Sequence, residues 1–468
     1  MKKRFFRVLN VFLTLVLALT AAFGLSACSD GAAGDGGDGG DRTRQKTISW
    51  LHIWPEHSAA MTKIANDFMA ANPDIKIEIQ QSTHGDVDSY LNMQVLSGTL
   101  PDVFFYWTHS VSAYVDYDAV LDLTPYVDGW KDTFIDDGAA WEGAKVDGKY
   151  YNMPFRSTGY TIVYNKTLFD SLEIEVPGTI QEFEQVLDKI RKSFANASFS
   201  PLAATGVAGG TLPQIHSAMN NFIALQTEQY KDPAFKADLI ASDATQLDLG
   251  ARVLDKLRDW VGKGYFGYAE GKSESTAITN FVQGNAAMVL MNNNNLYLLE
   301  DIDEETEIGF MAIPAPAGID YTYVFGGYDG FSIAKNTRYP DECVRFLKYL
   351  SSLEVQQAFA ESESSIMAVE GVQYSDPDQA AMSVAMKDVG NSLLAKPDVK
   401  YSVGSYGDAN NSLVLNYILG KSNQTAQQVM TEIEENNDKA VRDAGLTRVA
   451  RTYPYPENVD YSWLNLLT

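Results

Sequence analysis

Ten side chains, in five short stretches, set aromatic rings beside planar hydrogen-bonding groups. His52, Trp54 and Glu56 alternate along one stretch, Tyr106 and Trp107 close an apolar run, and Arg156 lies in a third. Asn292 and Asn293 open a run of four asparagines, and Tyr328 and Asp329 sit inside Gly326-Gly-Tyr-Asp-Gly330. Flat aromatic faces cover apolar C–H surface, while amides, carboxylates and guanidinium groups bond hydroxyls around its edge. This combination suits noncovalent capture of a saccharide. Simpler roles stand beside it. Trp50 alternates inside an apolar stretch and belongs in a core; Trp54 follows the same logic, although Pro55 beside it favours a cleft. Trp141 packs beneath a hairpin. Arg156 could pair with a neighbouring acid to fix a hinge, and the asparagine run could cap a helix.

Covalent chemistry finds little support. The chain lacks a Gly-x-Ser-x-Gly elbow, a His-Glu-x-x-His pair, a phosphate loop and a Gly-rich dinucleotide turn. Its five histidines stand at 52, 57, 84, 109 and 216. His52 and His57 could share a metal, but zinc takes three or four ligands, and neither a nearby Cys nor a third paired His accompanies them. Neither a metal nor a cofactor is predicted. A pair of carboxylates for glycoside hydrolysis is defined by spatial separation, so 61 acidic residues leave that reading open.

The elements that must position these residues follow from periodicity. Thr47–Trp54 reads as a buried strand, Ser58–Ala71 as a helix with Met61, Ile64, Ala65 and Phe68 on one face, and Ile75, Ile77 and Ile79 as a second strand. That order implies a crossover unit on a parallel sheet, where ligands collect beyond the carboxyl ends of strands. Helix Tyr90–Leu96 and strand Val103–Tyr106 come next. Asp147-Gly148 marks a hairpin turn. Pro154 predicts that a strand ends or reaches a sheet edge, and Tyr160–Tyr164 predicts a resumption after Gly159. Thr179 with Glu182 forms a capping box. Further strands are predicted near 201–205, 286–291, 308–313 and 330–334. A helix at 341–351 places Cys343 in a core with Phe346, Leu347 and Leu350.

Asp147-Gly-Lys-Tyr-Tyr151, Pro154-Phe155 and Val163-Tyr-Asn-Lys-Thr-Leu-Phe-Asp170 closely resemble the extracellular solute-binding proteins of ABC importers, in the carbohydrate-binding family that includes maltose-binding protein. Asn72-Pro-Asp-Ile-Lys-Ile77, Ser97-Gly-Thr-Leu-Pro-Asp-Val103, Leu121-Asp-Leu-Thr-Pro-Tyr126 and Phe281-Val-Gln-Gly-Asn-Ala-Ala-Met288 extend the resemblance. It implies a two-lobed α/β fold, each lobe a mainly parallel sheet flanked by helices, joined by several hinge crossings. The lobes expected are 46–156 with 330–377, and 157–329 with 378–468. All five places carrying the ten candidates commonly contribute ligand contacts in the family. The resemblance further implies no enzymatic activity, a monomer, an ABC permease as partner and a saccharide ligand, most naturally an oligosaccharide. A cationic or peptide-like solute on Asp329 and Glu56 is the alternative within the fold; a surface glycoside hydrolase is the alternative outside it.

The N-terminus is consistent with that setting. Lys2, Lys3, Arg4 and Arg7 precede an apolar run over residues 8–23, and Leu25-Ser-Ala-Cys28 is similar to a bacterial lipobox. Residues 1–27 therefore read as a lipoprotein signal peptide, Cys28 as the lipidated residue and the Gly- and Asp-rich 28–45 as a flexible tether. The location implied is the outer face of the cell membrane, on a Gram-positive surface or in a periplasm. Removing residues 1–27 takes away four basic residues and no acidic one, so a net charge of −25 becomes −29. Such a chain repels nucleic acid and anionic lipid. With Cys28 acylated, Cys343 has no disulfide partner, and stability rests on burial.

Overall fold

The computed structural model describes residues 45–83, 86–108, 111–135, 139–142, 144–194, 198–207, 210–224, 241–270, 273–319, 326–363, 365–386, 404–443, 449–451 and 459–465. The predicted signal peptide, Cys28, and the tether up to residue 44 lie outside them, as do His84 and His109. Residues 45–468 form one compact unit.

Strand β1 (Lys46–His52) runs parallel to β2 (Ile75–Gln81) and to β3 (Val103–Trp107). Helix α1 (Ser58–Ala71) buries the four residues its periodicity selects. It stops at Asn72, whose side chain donates to the Phe68 carbonyl at 2.9 Å, with Pro73 beyond. Helix α2 (Val87–Ser97) leads to β3. Hairpin strands β4 (Lys145–Val146) and β5 (Lys149–Tyr150) close on Asp147 and Gly148, both at positive φ as a two-residue turn requires. Trp141 packs edge-on to Tyr150 beneath it, ring centroids 5.8 Å apart.

Strand β6 (Met153–Asn165) corrects one expectation. It neither ends nor reaches an edge at Pro154 but continues for 13 residues. The register against β11 (Gly326–Ile333) slips between Asp329 and Gly330, leaving Phe155 as an extra residue beside Pro154. A bulge tolerates the missing proline donor, so no break is needed. β11 also begins four residues earlier than predicted, which places Tyr328 and Asp329 in the ladder opposite Ser157 and Arg156. Glycine allows this approach. A Cβ on Gly330 would lie 2.1 Å from Asn152 Oδ1 and 2.5 Å from the Met153 carbonyl oxygen.

Helix α3 (Ile180–Ser193), with the capping box of Thr179 and Glu182, precedes β7 (Ser200–Gly206). Helix α4 (Ala244–Gly262), β8 (Phe266–Glu270), α5 (Glu274–Val282), β9 (Ala286–Asn292) and β10 (Ile308–Met311) follow. After β11 come α6 (Pro340–Leu350), α7 (Leu353–Glu363) and α8 (Pro377–Ala385). The nine-stranded sheet runs β2-β1-β3-β11-β6-β9-β7-β8, with β10 also on β6. Pairing is parallel in its outer parts and antiparallel where β11 and β6 cross its middle.

Two hydrophobic cores straddle this sheet. The first surrounds β1, β3 and β11 and takes in Cys343, Phe346, Leu347 and Leu350. The second gathers α3, α4 and the β7–β9 region. Alternate residues choose between them. Ile162, Leu202, Met288 and Leu290 join the second core, whereas Val163, Ala203, Val289 and Met291 join the first. Both faces are buried, which is why these strands read as unbroken apolar runs.

Candidate functional site

The carboxyl end of β1 turns at Pro55 into a short 3₁₀ helix, Pro55–His57, which sets Trp54 over the β6–β11 pair. Its indole is enclosed by Phe105, Phe155 and Phe331 and stacked with His52. The Trp54 residue is 0% exposed, so it lies within the packed floor. Arg156 lies against it, the guanidinium carbon 4.4 Å from the ring centroid, a cation–π contact. Arg156 Nε donates to Asp329 Oδ2 at 3.0 Å, and both residues are 1% exposed. Register explains the pair: Arg156 and Asp329 are opposite one another in the β6–β11 ladder.

A polar relay extends from this pair. Arg156 Nη1 lies 3.4 Å from His57 Nε2 and 3.3 Å from Ser365 Oγ, and His57 Nδ1 bonds Glu363. Burial, with the Arg156 charge next, lowers the His57 pKa to about 4, and burial raises that of Glu363. The imidazole is therefore neutral at pH 7. One tautomer satisfies both neighbours, donating through Nδ1 to Glu363 and accepting at Nε2 from Arg156. His52, its pKa also lowered to about 4 by burial, accepts the Trp54 backbone N–H on Nδ1 at 3.2 Å.

Trp107 caps β3 opposite Asp329, half-buried, with its ring edge-on to Phe105 and Tyr106. Tyr106 is 8% exposed and donates its hydroxyl to Asp88 at 3.1 Å. Tyr328 is fully buried, and its carbonyl accepts from the Thr108 hydroxyl at 3.0 Å. Glu56 is exposed.

The asparagine run forms a second cluster. Asn292 caps the 3₁₀ helix that follows β9, its Oδ1 accepting from the Asn294 N–H at 3.0 Å. Its own N–H donates to Glu274 Oε1 at 2.6 Å, and Asn295 Nδ2 donates to the same oxygen at 2.8 Å. Burial raises the Glu274 pKa. Asn293 is 1% exposed, with both ends of its carboxamide bonded to β6.

Of the ten predicted residues, the structure brings His52, Trp54, Arg156 and Asp329 into one buried assembly, with Tyr106, Trp107 and Glu56 at its margin and Tyr328 buried beside Asp329 in β11. Asn292 and Asn293 belong to the neighbouring cluster. Glu363, Ser365, Thr158 and Glu274 are hydrogen-bonding partners of this assembly and the asparagine run that the sequence did not single out, and His57, which the sequence offered only as a metal candidate, joins Arg156 instead. His57 and Glu363 are separated by 306 residues, so no local pattern could join them; Glu274 carried the mild signal of an acid in a first helical turn. Among the described residues, no group of three or more His, Cys, Asp or Glu side chains could hold a metal ion, and no helix is long and apolar enough to cross a membrane.

Residues 54–357 match the family of bacterial extracellular solute-binding proteins. The multiple sugar-binding protein of Streptococcus mutans is 25% identical over 372 residues, covering 76% of this chain and 82% of that one. RafE of Streptococcus pneumoniae, in its apo form, superposes with a TM-score of 0.65 at 22% identity, over 85% of this chain and 98% of its own. RafE in complex with raffinose gives 0.59 at 22%, over 84% and 99%. The ABC substrate-binding protein Lmo0181 of Listeria monocytogenes, in complex with cycloalternan, gives 0.63 at 17%, over 86% and 100%. These structures share the two-lobed fold with this chain.

Proposed function

We propose a function from the premise that this chain belongs to the bacterial extracellular solute-binding protein family: it captures a saccharide between two lobes and presents it to an ABC import permease. The observation that carries the reading is the aromatic floor of Trp54, Phe105, Phe155 and Phe331, with Trp107 half-buried at its edge, beside an Arg–Asp pair already neutralised internally. A neutralised pair suits a neutral polyol better than a cation, which would need an acid without a partner. The sugars named with the relatives, raffinose, cycloalternan and multiple sugars, point to an oligosaccharide.

In this reading Trp107, Glu56 and Asn292, which retain exposed surface, meet the ligand directly. His52, Trp54, Tyr106, Arg156, Tyr328 and Asp329 form the floor that fixes their positions, and Asn293 belongs to the crossing between lobes. The lobes are 46–156 with 330–377 and 157–329 with 378–468. Ligand must favour the closed arrangement over the open one, since equal affinity for both would signal nothing to the permease. The protein acts as a monomer without enzymatic activity, held at the outer membrane face through a lipid on Cys28, on a tether that raises its effective concentration near the permease.

Titration calorimetry with raffinose, maltotriose and longer oligosaccharides, followed by chromatography of the recovered sugar, tests this. Intact sugar and an affinity lowered about tenfold or more in Trp107→Ala support it. Cleaved sugar would make the chain a glycoside hydrolase instead.

A further inference from the structure

The asparagine run grips β6 just where that strand enters the second proposed lobe, at residues 157–159. β6 changes partners within one step: its residues up to Gly159 pair with β11, and those from Tyr160 pair with β9. At that step the Gly159 N–H donates to Asn293 Oδ1 at 2.9 Å, and Asn293 Nδ2 donates to the Ser157 carbonyl at 3.0 Å. One carboxamide thus supplies a donor and an acceptor, as a neighbouring strand backbone would. The hydroxyl between them, Thr158 Oγ1, lies 3.2 Å from both Asn292 Nδ2 and Asn294 Nδ2. Three consecutive asparagines therefore meet three consecutive residues of β6. From the far side, Glu274 holds the run through the Asn292 N–H and Asn295 Nδ2.

The backbone here is lightly restricted. Gly159 stands opposite Gly326 in the β6–β11 ladder, so neither residue brings a Cβ to restrict a change of φ and ψ. A domain hinge concentrates its rotation in a few such residues. Side-chain hydrogen bonds at that point can form or release without unzipping the strand pairs on either side.

We propose that Asn293 is a hinge clamp, a positioning residue that sets the balance between open and closed arrangements without touching ligand. At 1% exposure, with both ends of its amide turned to β6, it is shielded from a ligand. The inference rests on the two-lobed fold and the hydrogen bonds at Gly159, and it stands whether or not the ligand is a saccharide.

The test uses ligand-free, full-length protein in a Cys28→Ser background, spin-labelled at Leu96→Cys and Val176→Cys. These positions are 84% and 49% exposed on α2 and on the segment before α3. Cys343 is fully buried and stays unlabelled. Double electron–electron resonance compares Asn293, Asn293→Ala and Asn293→Asp, with circular dichroism confirming the fold. The aspartate is isosteric and keeps the acceptor for the Gly159 N–H, but it has no donor for the Ser157 carbonyl. The clamp predicts a shifted or broadened interlobe distance in the alanine variant and an effect at least as large in the aspartate, whose buried carboxylate would face the Ser157 carbonyl oxygen. Amide exchange at Gly159 should quicken by about tenfold in Asn293→Ala. Superimposable distance distributions in two folded variants would overturn the proposal, as would a changed exchange rate with no change in distance. Failure of the saccharide reading would appear as absent sugar binding, which this ligand-free measurement does not touch.

Discussion

Arg156 shows how one residue type acquires a role from its surroundings. Its charge is matched by Asp329, its face is covered by Trp54, and its Nη1 reaches His57 and Ser365. Removing one partner of a buried ion pair leaves the other charged and unsolvated, which costs about 3–5 kcal/mol. Arg156→Met should therefore lower the urea midpoint by that equivalent, and Arg156→Met with Asp329→Asn should recover part of the loss. Full stability in the single variant would mean the pair is not buried in solution. The histidines give a second check. His52, His57 and His216 have folded pKa values lowered to about 4 from 6.5, burial being the largest cause in each. Between pH 6.5 and 4 the unfolded chain binds more protons, so these groups make stability fall as pH falls. Burial raises Glu274 and Glu363, which act in the opposite sense above their ordinary range. His52→Gln should thus lose less melting temperature than the parent between pH 7 and pH 5. The sequence revealed that aromatics, amides and charges cluster at these positions. It could not show which ring lies under another: the sequence left Trp54 between a core and a cleft, and only packing buries it while leaving Trp107 partly open.

At the scale of elements, local physics was largely legible. α1 occupies the residues its apolar spacing selects, and the Thr179–Glu182 capping box forms as its spacing implies. Pro154 misled because a proline's missing donor is harmless opposite a bulge, and a bulge depends on a partner strand more than 170 residues away. The early start of β11 was hidden for a related reason, since glycines signal loops locally but here permit two backbones to approach. Gly330→Ala tests that account. The added Cβ would press on the Met153 carbonyl, and crowding of this kind costs about 1–3 kcal/mol, measurable as a lowered melting temperature. An unchanged melt would show that β6 and β11 can separate locally. Cys343 offers an element-scale probe as well. It lies in the face of α6 that packs into the first core, and burial pushes its thiol up to about 12. Iodoacetamide should modify it only after unfolding; rapid alkylation of native protein would mean that α6 opens readily.

For the whole molecule, the two-core arrangement and the antiparallel crossing of β6 and β11 give a frame in which ligand contacts on both sides can shift one equilibrium. Charge adds a constraint, for at −25 the chain disfavours contact with anionic surfaces. The central claim, that a saccharide stabilises the closed arrangement, is tested most directly by a thermal-shift screen of the chain from Gln45. The panel should hold oligosaccharides, amino acids, polyamines and short peptides. A ligand that binds only the native state adds about 2.7 kcal/mol of stability at one hundred times its Kd, so the melt reports binding whichever sugar is the ligand. The account predicts a higher melting temperature with one class of oligosaccharide, diminished in Trp107→Ala. A rise with polyamines or peptides and none with any saccharide would contradict it.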